Sequence, residues 1–160
     1  FHNPPETRHR QGPLSIAGYL EDSFDFEAVR RLALDPLGPR GTLFYQSEIY
    51  DHRAGESREV APLRADPRSI LVFEGVTLFR KEIVDCFDYK IYLETAFDVA
   101  LERAKTRDLD HFGDMETLLT KYQERFIPGQ RRYIEQYRPA RVADAVVGND
   151  DWAMPTLRFS

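Results

Sequence analysis

The densest apolar stretch of the chain is Ser69-Ile70-Leu71-Val72-Phe73, which is non-polar or small on successive residues rather than on every second one. That pattern predicts a strand buried on both faces, as inside a parallel sheet. It runs into Glu74 and Gly75, an acid followed by a residue that lets the chain turn tightly. Residues 78–86 then predict a helix, and residues 89–93, Tyr-Lys-Ile-Tyr-Leu, a second strand. The three together predict a βαβ unit with an acid at its mouth. In open α/β sheets ligands bind at that carboxyl end.

The flanking pattern is more polar. Pro4, Pro5, Gly12 and Pro13 break the first twenty residues into loops. Asp22-Ser23-Phe24-Asp25 offers capping oxygens ahead of helical spacing over 26–34, which Asp35-Pro36-Leu37-Gly38-Pro39 ends. Residues 42–50 predict an extended or hairpin segment, and 51–68 its return arm plus a charged loop. After the βαβ unit, Thr95 reads as a helix cap with Asp98 three residues on. Phe97, Leu101 and Ala104 then fall on one helical face. Residues 108–114 are a break, and a long helix over 115–137 is predicted to be bent or interrupted at Pro128-Gly129. A last strand at 143–147 opens into Gly148-Asn149-Asp150.

Composition narrows the classes. With 160 residues the chain can bury a real core, and it carries no repeat or low-complexity tract, so a single domain over 1–160 is expected. A net charge of -5 argues against an electrostatic nucleic-acid binder. The lone Cys86 excludes an internal disulfide, fits a reducing cytoplasm, and reads as a core residue rather than a nucleophile. No apolar run approaches the roughly 18 residues of a membrane span, so a cytoplasmic protein with no membrane partner is expected.

The order strand–acid–Gly, Arg-bearing helix, last strand resembles the uridine kinase and phosphoribulokinase group of P-loop kinases. Phe1-His2-Asn3-Pro4 looks like the tail of that group's Asp-Asp-Phe-His/Tyr motif, and Asp22-Ser23-Phe24-Asp25 like its Asp-Ala-Phe-Asp. The most specific match is Phe73-Glu74-Gly75-Val76-Thr77-Leu78-Phe79, similar to Phe-Glu-Gly-Ile-Leu-X-Phe. Residues 103–108 look like the start of the lid, residues 122–133 like the helix before the last strand, and Ala143-Asp144-Ala145-Val146-Val147 like Ala-Asp-X-Val-Ile. The resemblance implies an α/β fold with a mostly parallel sheet flanked by helices. It also implies an ATP-dependent kinase that uses Mg²⁺ and a small-molecule acceptor such as a nucleoside. A homo-oligomer follows only by analogy.

Phosphoryl transfer needs positive charge around the moving group, a metal, and a group that orients the acceptor hydroxyl. Glu74 suits the metal, directly or through water; a capping or salt-bridged acid is the plainer alternative. Arg107 closes an amphipathic helix beside the 108–114 break, where a lid could swing its guanidinium over phosphates. The helix C-terminal dipole would favour an arginine there in any case. Arg103, one turn earlier, could assist or simply be solvated. Tyr50 and Asp51 match the Tyr-Asp-Phe that lines the nucleoside pocket in relatives, with Asp22 beside them in the same role, although Tyr50-Asp51-His52 also reads as an ordinary turn. His52 stands where the group has Phe; His2 adjoins the motif that carries the base, and His9 and His111 read as surface residues. Asn149 falls where relatives place adenine, among residues common in turns.

Two departures bear on chemistry. Gly-x-x-x-x-Gly-Lys-Ser/Thr occurs nowhere in these 160 residues, nor does the Asp-Asp-Phe base. The resemblance therefore predicts a further strand–P-loop–helix–strand segment of about 50 residues in the native protein. The alternative is a catalytically dead homologue that binds nucleotide or a protein partner. Second, residues 17–21 lack the acid of Phe-Asp-His-Pro, and residues 110–114 lack Glu-Arg-Gly-Arg. A pocket built to bond a ribose discriminates strongly, so the acceptor stays open among nucleosides, pantothenate, a sugar or nicotinamide riboside.

Overall fold

The computed structural model describes residues 1–51 and 54–160. It contains two compact units, Phe1–Phe87 and Asp88–Ser160.

In the first unit, α1 (Pro5–Arg8) leads to α2 (Ile16–Asp22), capped by the Ser15 hydroxyl, which accepts from the Gly18 N–H. Asp25 caps α3 (Phe26–Val29) through the Ala28 N–H at 2.8 Å, as its place before the apolar spacing predicts. The helix continues through a π-helical turn, Arg30–Leu34, into α4 (Asp35–Leu37). That turn has a local cause. Pro36 would clash with the carbonyl four residues back in a regular helix, and the widened turn bonds Asp35 N–H to Arg30 O instead. Gly41 then passes so close to the Pro36 carbonyl that a Cβ would lie 2.1 Å from its oxygen.

The expected hairpin is present as two nested antiparallel ladders. β1 (Phe44–Tyr45) pairs with a later strand, Leu63–Arg64, and between them β2 (Tyr50–Asp51) pairs with β3 (Glu56–Ser57); Leu63–Arg64 is β4. The core of this unit is Val29, Leu34 and Ile83, with Phe26, Phe73, Leu78 and Phe87 packed around it.

Three expectations fail in this unit. The first twenty residues are not all loop, because Pro5 suits the first turn of α1 and Ser15 caps α2. Residues 69–75 form no strand: Ile70 is 90% and Val72 85% exposed. A strand exists only where a neighbour takes up its N–H and C=O groups, and among the described residues none ladders with this run. Residues 78–86 are not a helix but a series of turns ending in one 3₁₀ turn, Val84–Cys86. Here tertiary bonds win over local ones. Arg30 donates to the Glu82 carbonyl at 3.2 Å, Arg80 reaches the Leu20 carbonyl at 2.5 Å and Glu82 at 3.0 Å. Buried Thr77 starts the segment at φ 60°, a conformation a β-branched residue rarely adopts.

In the second unit, β5 (Ile91–Glu94) leads into α5 (Phe97–Arg107), α6 (Leu109–Phe112) and α7 (Met115–Lys121). The cap of α5 differs from expectation: Ala96 occupies it, and the Asp150 carboxylate accepts the Ala96 N–H at 2.7 Å. Gly113, at φ 83°, ends α6 inside the predicted break. The long helix is continuous, with α7 passing through a π-helical turn, Tyr122–Phe126, into α8 (Ile127–Tyr137). The π-helical turn stands just ahead of Pro128, where a bend or interruption was expected, and it repeats the solution used at Pro36.

Left-handed Arg138 separates α8 from α9 (Pro139–Val142), which feeds β6 (Ala145–Gly148). β6 lies parallel to β5 with Ile91 opposite Ala145. A further strand not foreseen, β7 (Thr156–Phe159), pairs antiparallel on its other side. The sheet is therefore mixed, with a single parallel pair among the described residues, where the sequence suggested a mostly parallel one. Leu118, Ala104, Tyr133, Ala145 and Val146 are buried beneath these helices and strands. No helix among the described residues is long and apolar enough to cross a membrane.

Candidate functional site

The first unit holds Asp22, Tyr50, Asp51 and Glu74. Asp22 ends α2 and is 1% exposed. Its carboxylate pairs with Arg10 and accepts Gln11 Nε2 at 2.7 Å, and its carbonyl accepts from Asn3 Nδ2 at 3.1 Å. A buried carboxylate needs such donors to stay charged. Tyr50 is buried on β2 opposite Ser57. Asp51 follows it, with Oδ1 accepting the Ala54 N–H at 3.0 Å and Oδ2 meeting Arg58 at 2.8 Å. Arg58 also reaches Glu48 at 3.0 Å, so one guanidinium ties Glu48 to Asp51. His52 lies outside the described residues.

Glu74 is exposed, and no hydrogen bond or ion pair engages its carboxylate among the described residues. No cluster of three or more His, Cys, Asp or Glu that could hold a metal occurs among them either. Glu74 is thus a single exposed carboxylate and not part of a protein cage among the described residues. Mg²⁺ is commonly held by one or two carboxylates, with waters and substrate phosphates completing its shell.

The second unit brings Arg103 and Asn149 to one place, the carboxyl end of the parallel β5–β6 pair. Arg103 Nη2 donates to the Asp150 carbonyl at 2.7 Å. The Asn149 N–H extends the ladder to the Glu94 carbonyl at 2.8 Å. Together with the Asp150 bond to Ala96, these contacts fasten the Gly148-Asn149-Asp150 turn to the start of α5. Glu94 and Arg158 pair at 2.6 Å at the same end.

Arg107 lies a turn beyond Arg103, at the last residue of α5, and its guanidinium is engaged. Nε and Nη2 donate to the two oxygens of Asp108 at 2.7 and 2.9 Å. Tyr122 donates its hydroxyl to the same carboxylate at 2.5 Å. The Arg107 hydrogen bonds hold the Asp108 carboxyl below its usual range. Burial, reinforced by the Asp108 bond, pushes the Tyr122 phenol up to about 12.

Sequence reading missed the partners Arg10, Gln11, Arg58 and Tyr122. Only Tyr122 left a usable signal. A break that turns the chain back at Gly113 sends the following helical stretch, with Tyr122 just past α7, back toward the end of α5.

Comparison with known proteins now bears on these residues. The profile of the "Phosphoribulokinase / Uridine kinase family" matches residues 40–149. The chain is 28% identical over 104 residues to a uridine kinase of Brevibacillus brevis, covering 64% of this chain and 47% of that protein. It is 31% identical over 101 residues to one of Lactococcus lactis subsp. cremoris (62% and 48%), and 27% over 104 to one of Clostridium botulinum (64% and 49%). The chain thus spans about half the length of the curated relatives it matches. No solved structure matches it. The profile takes in Glu74 and its motif, both arginines of α5, and β6 with the Asn149 that follows it, and on this ground the chain belongs to the phosphoribulokinase / uridine kinase family.

Proposed function

We propose that the intact protein transfers the γ-phosphoryl group of ATP to a hydroxyl of a nucleoside or similar small metabolite. The observation that carries this reading is the family match across residues 40–149, which includes the Phe73-Glu74-Gly75 motif. The relatives named above are uridine kinases, which favours a nucleoside acceptor. The missing acid in residues 17–21 keeps uridine from being the necessary one.

The chemistry divides between the residues as follows. Glu74, exposed and without a protein partner among the described residues, would hold Mg²⁺. When bound, that ion neutralises charge on the phosphates. Arg103 and Arg107 place guanidinium groups along one face of α5 for the phosphates, where planar donor pairs match phosphate oxygens. Asn149 sits at the adenine side. Tyr50 supplies a ring, Asp51 hydroxyl recognition, and Asp22 fixes Arg10 and Gln11 on the acceptor side. The phosphate-binding loop and the base come from a segment of the intact protein outside these residues. Exposed Ile70 and Val72 support this, since an apolar run with no ladder partner has the composition of a strand that pairs with another.

The test is an ATP-consumption screen of the purified intact protein over uridine, cytidine, pantothenate, simple sugars and nicotinamide riboside. Acceptor-dependent consumption with one of these is the expected result. Consumption with none would favour a family member that binds without catalysing.

A further inference from the structure

Three side chains meet where α5 ends. Arg107 spends both arms of its guanidinium on Asp108, at 2.7 and 2.9 Å, while Tyr122 donates to the same carboxylate from fourteen residues further on. Tyr122 opens the π-helical turn, and its ring meets Phe126 edge-on at 5.2 Å and Phe112 at 6.3 Å. Phe112, the last residue of α6, also lies 6.3 Å from Phe126. Residues 108–113 are thus fastened by the Tyr122 hydrogen bond and a ring cluster, and the Tyr122 oxygen also lies against the Arg107 guanidinium.

The two partners of Asp108 are unequal. The Arg107 side chain is 73% exposed, so its pair is screened by water and weak. Asp108 is only 21% exposed and would remain bonded to Tyr122 if the guanidinium left. The raised phenol keeps that hydroxyl a donor throughout the neutral range. A guanidinium can exchange one planar pair of acceptor oxygens for another, carboxylate for phosphate.

We propose that Asp108 parks Arg107 while no phosphate is bound, and that Tyr122 releases it by staying as the donor to Asp108 when the guanidinium moves to an anion. Asp108 and Tyr122 are then positioning residues for a phosphate-binding arginine, and the proposal rests on the kinase reading of Arg107. It gives the two residues opposite signs. Asp108→Asn removes the competing charge and strengthens anion binding. Tyr122→Phe leaves Asp108 dependent on Arg107 and weakens it. A purely structural cluster would make both variants weaken it.

The test follows the Arg107 Nε–H resonance of the intact protein by NMR during titration with inorganic tripolyphosphate. Half-saturation should fall about threefold in Asp108→Asn and rise about twofold in Tyr122→Phe, the scale of an exposed ion pair or one hydrogen bond. Shifts in the same direction, or an Arg107 resonance that does not respond in the wild type, would overturn the proposal. The acceptor screen is read separately. Opposite shifts without phosphorylation would keep the parked arginine and discard the kinase; phosphorylation with same-sign shifts would do the reverse.

Discussion

Residues 69–73 and β5 are both apolar runs followed by an acid, Glu74 in one case and Glu94 in the other, yet only the second is a strand. The amino acids do not explain the difference. Ile, Leu, Val and Phe in the first run suit a strand at least as well as Ile, Tyr and Leu in the second. What differs is the neighbour. β5 has β6 beside it in continuous parallel register from Ile91 to Glu94, whereas Ile70 and Val72 face solvent with no ladder among the described residues. Composition tells which residues can be a strand, and a partner for the backbone decides whether they are one.

The comparison can be broken by placing one charge in the 69–73 run and another in β6, the strand that gives β5 its partner. Val146→Asp in β6 buries an unpaired carboxylate at a position 4% exposed and should cost about 3–5 kcal/mol. Val72→Asp, at 85% exposure, should change stability by less than about 0.5 kcal/mol. Urea unfolding of both variants measures this. A comparable loss in the two would mean that 69–73 is buried after all.

A smaller effect sharpens the contrast from the side of the formed unit. The Asp108 carboxyl is held low by Arg107, so its contribution is fully present above the ordinary carboxylate pKa of about 3.9 and is lost as pH falls through its depressed value. Tyr122 is raised, so its contribution is present below about 10 and is lost as pH rises through about 12. Stability should therefore decline at both ends, and Asp108→Asn should flatten both declines. Melting temperatures against pH, with tyrosinate absorbance to follow Tyr122, would show it. An unchanged alkaline limb in Asp108→Asn would disconnect the two residues.

Much of the second unit was legible because its signals are local. The helical spacing of Phe97, Leu101 and Ala104 and the run into Ala145-Val146-Val147 depend on nearby residues, and both elements are present. The same holds for Asp25 as a cap. The break expected over 108–114 is largely occupied by α6, with only its end at Gly113 out of the helix. The position of Pro128 foretold a disturbance in the long helix, though not that it would take the form of a π-helical turn at 122–126. What stayed hidden depends on distant partners. The helix expected over 78–86 gives way because Arg30, from α3's continuation, takes the Glu82 carbonyl. β7 is visible only once β6 supplies an edge for it. At the site, Glu74, Arg103, Arg107 and Asn149 could be named from their motifs. The bonds that tie Arg107 to Asp108 and Tyr122, and Asp22 to Arg10 and Gln11, could not, because each arises where the chain folds back.

The central claim is phosphoryl transfer that depends on the second unit's arginine, and transfer of labelled γ-phosphate from ATP by the intact protein tests it most directly. Wild type and Arg107→Ala would be compared at saturating acceptor, alongside their melting temperatures. The account predicts a kcat lower by about 10²–10³ in the variant, the scale of losing one donor to a charged transition state, with the melting temperature nearly unchanged. No transfer by the wild type, or activity and stability lost together, would contradict it.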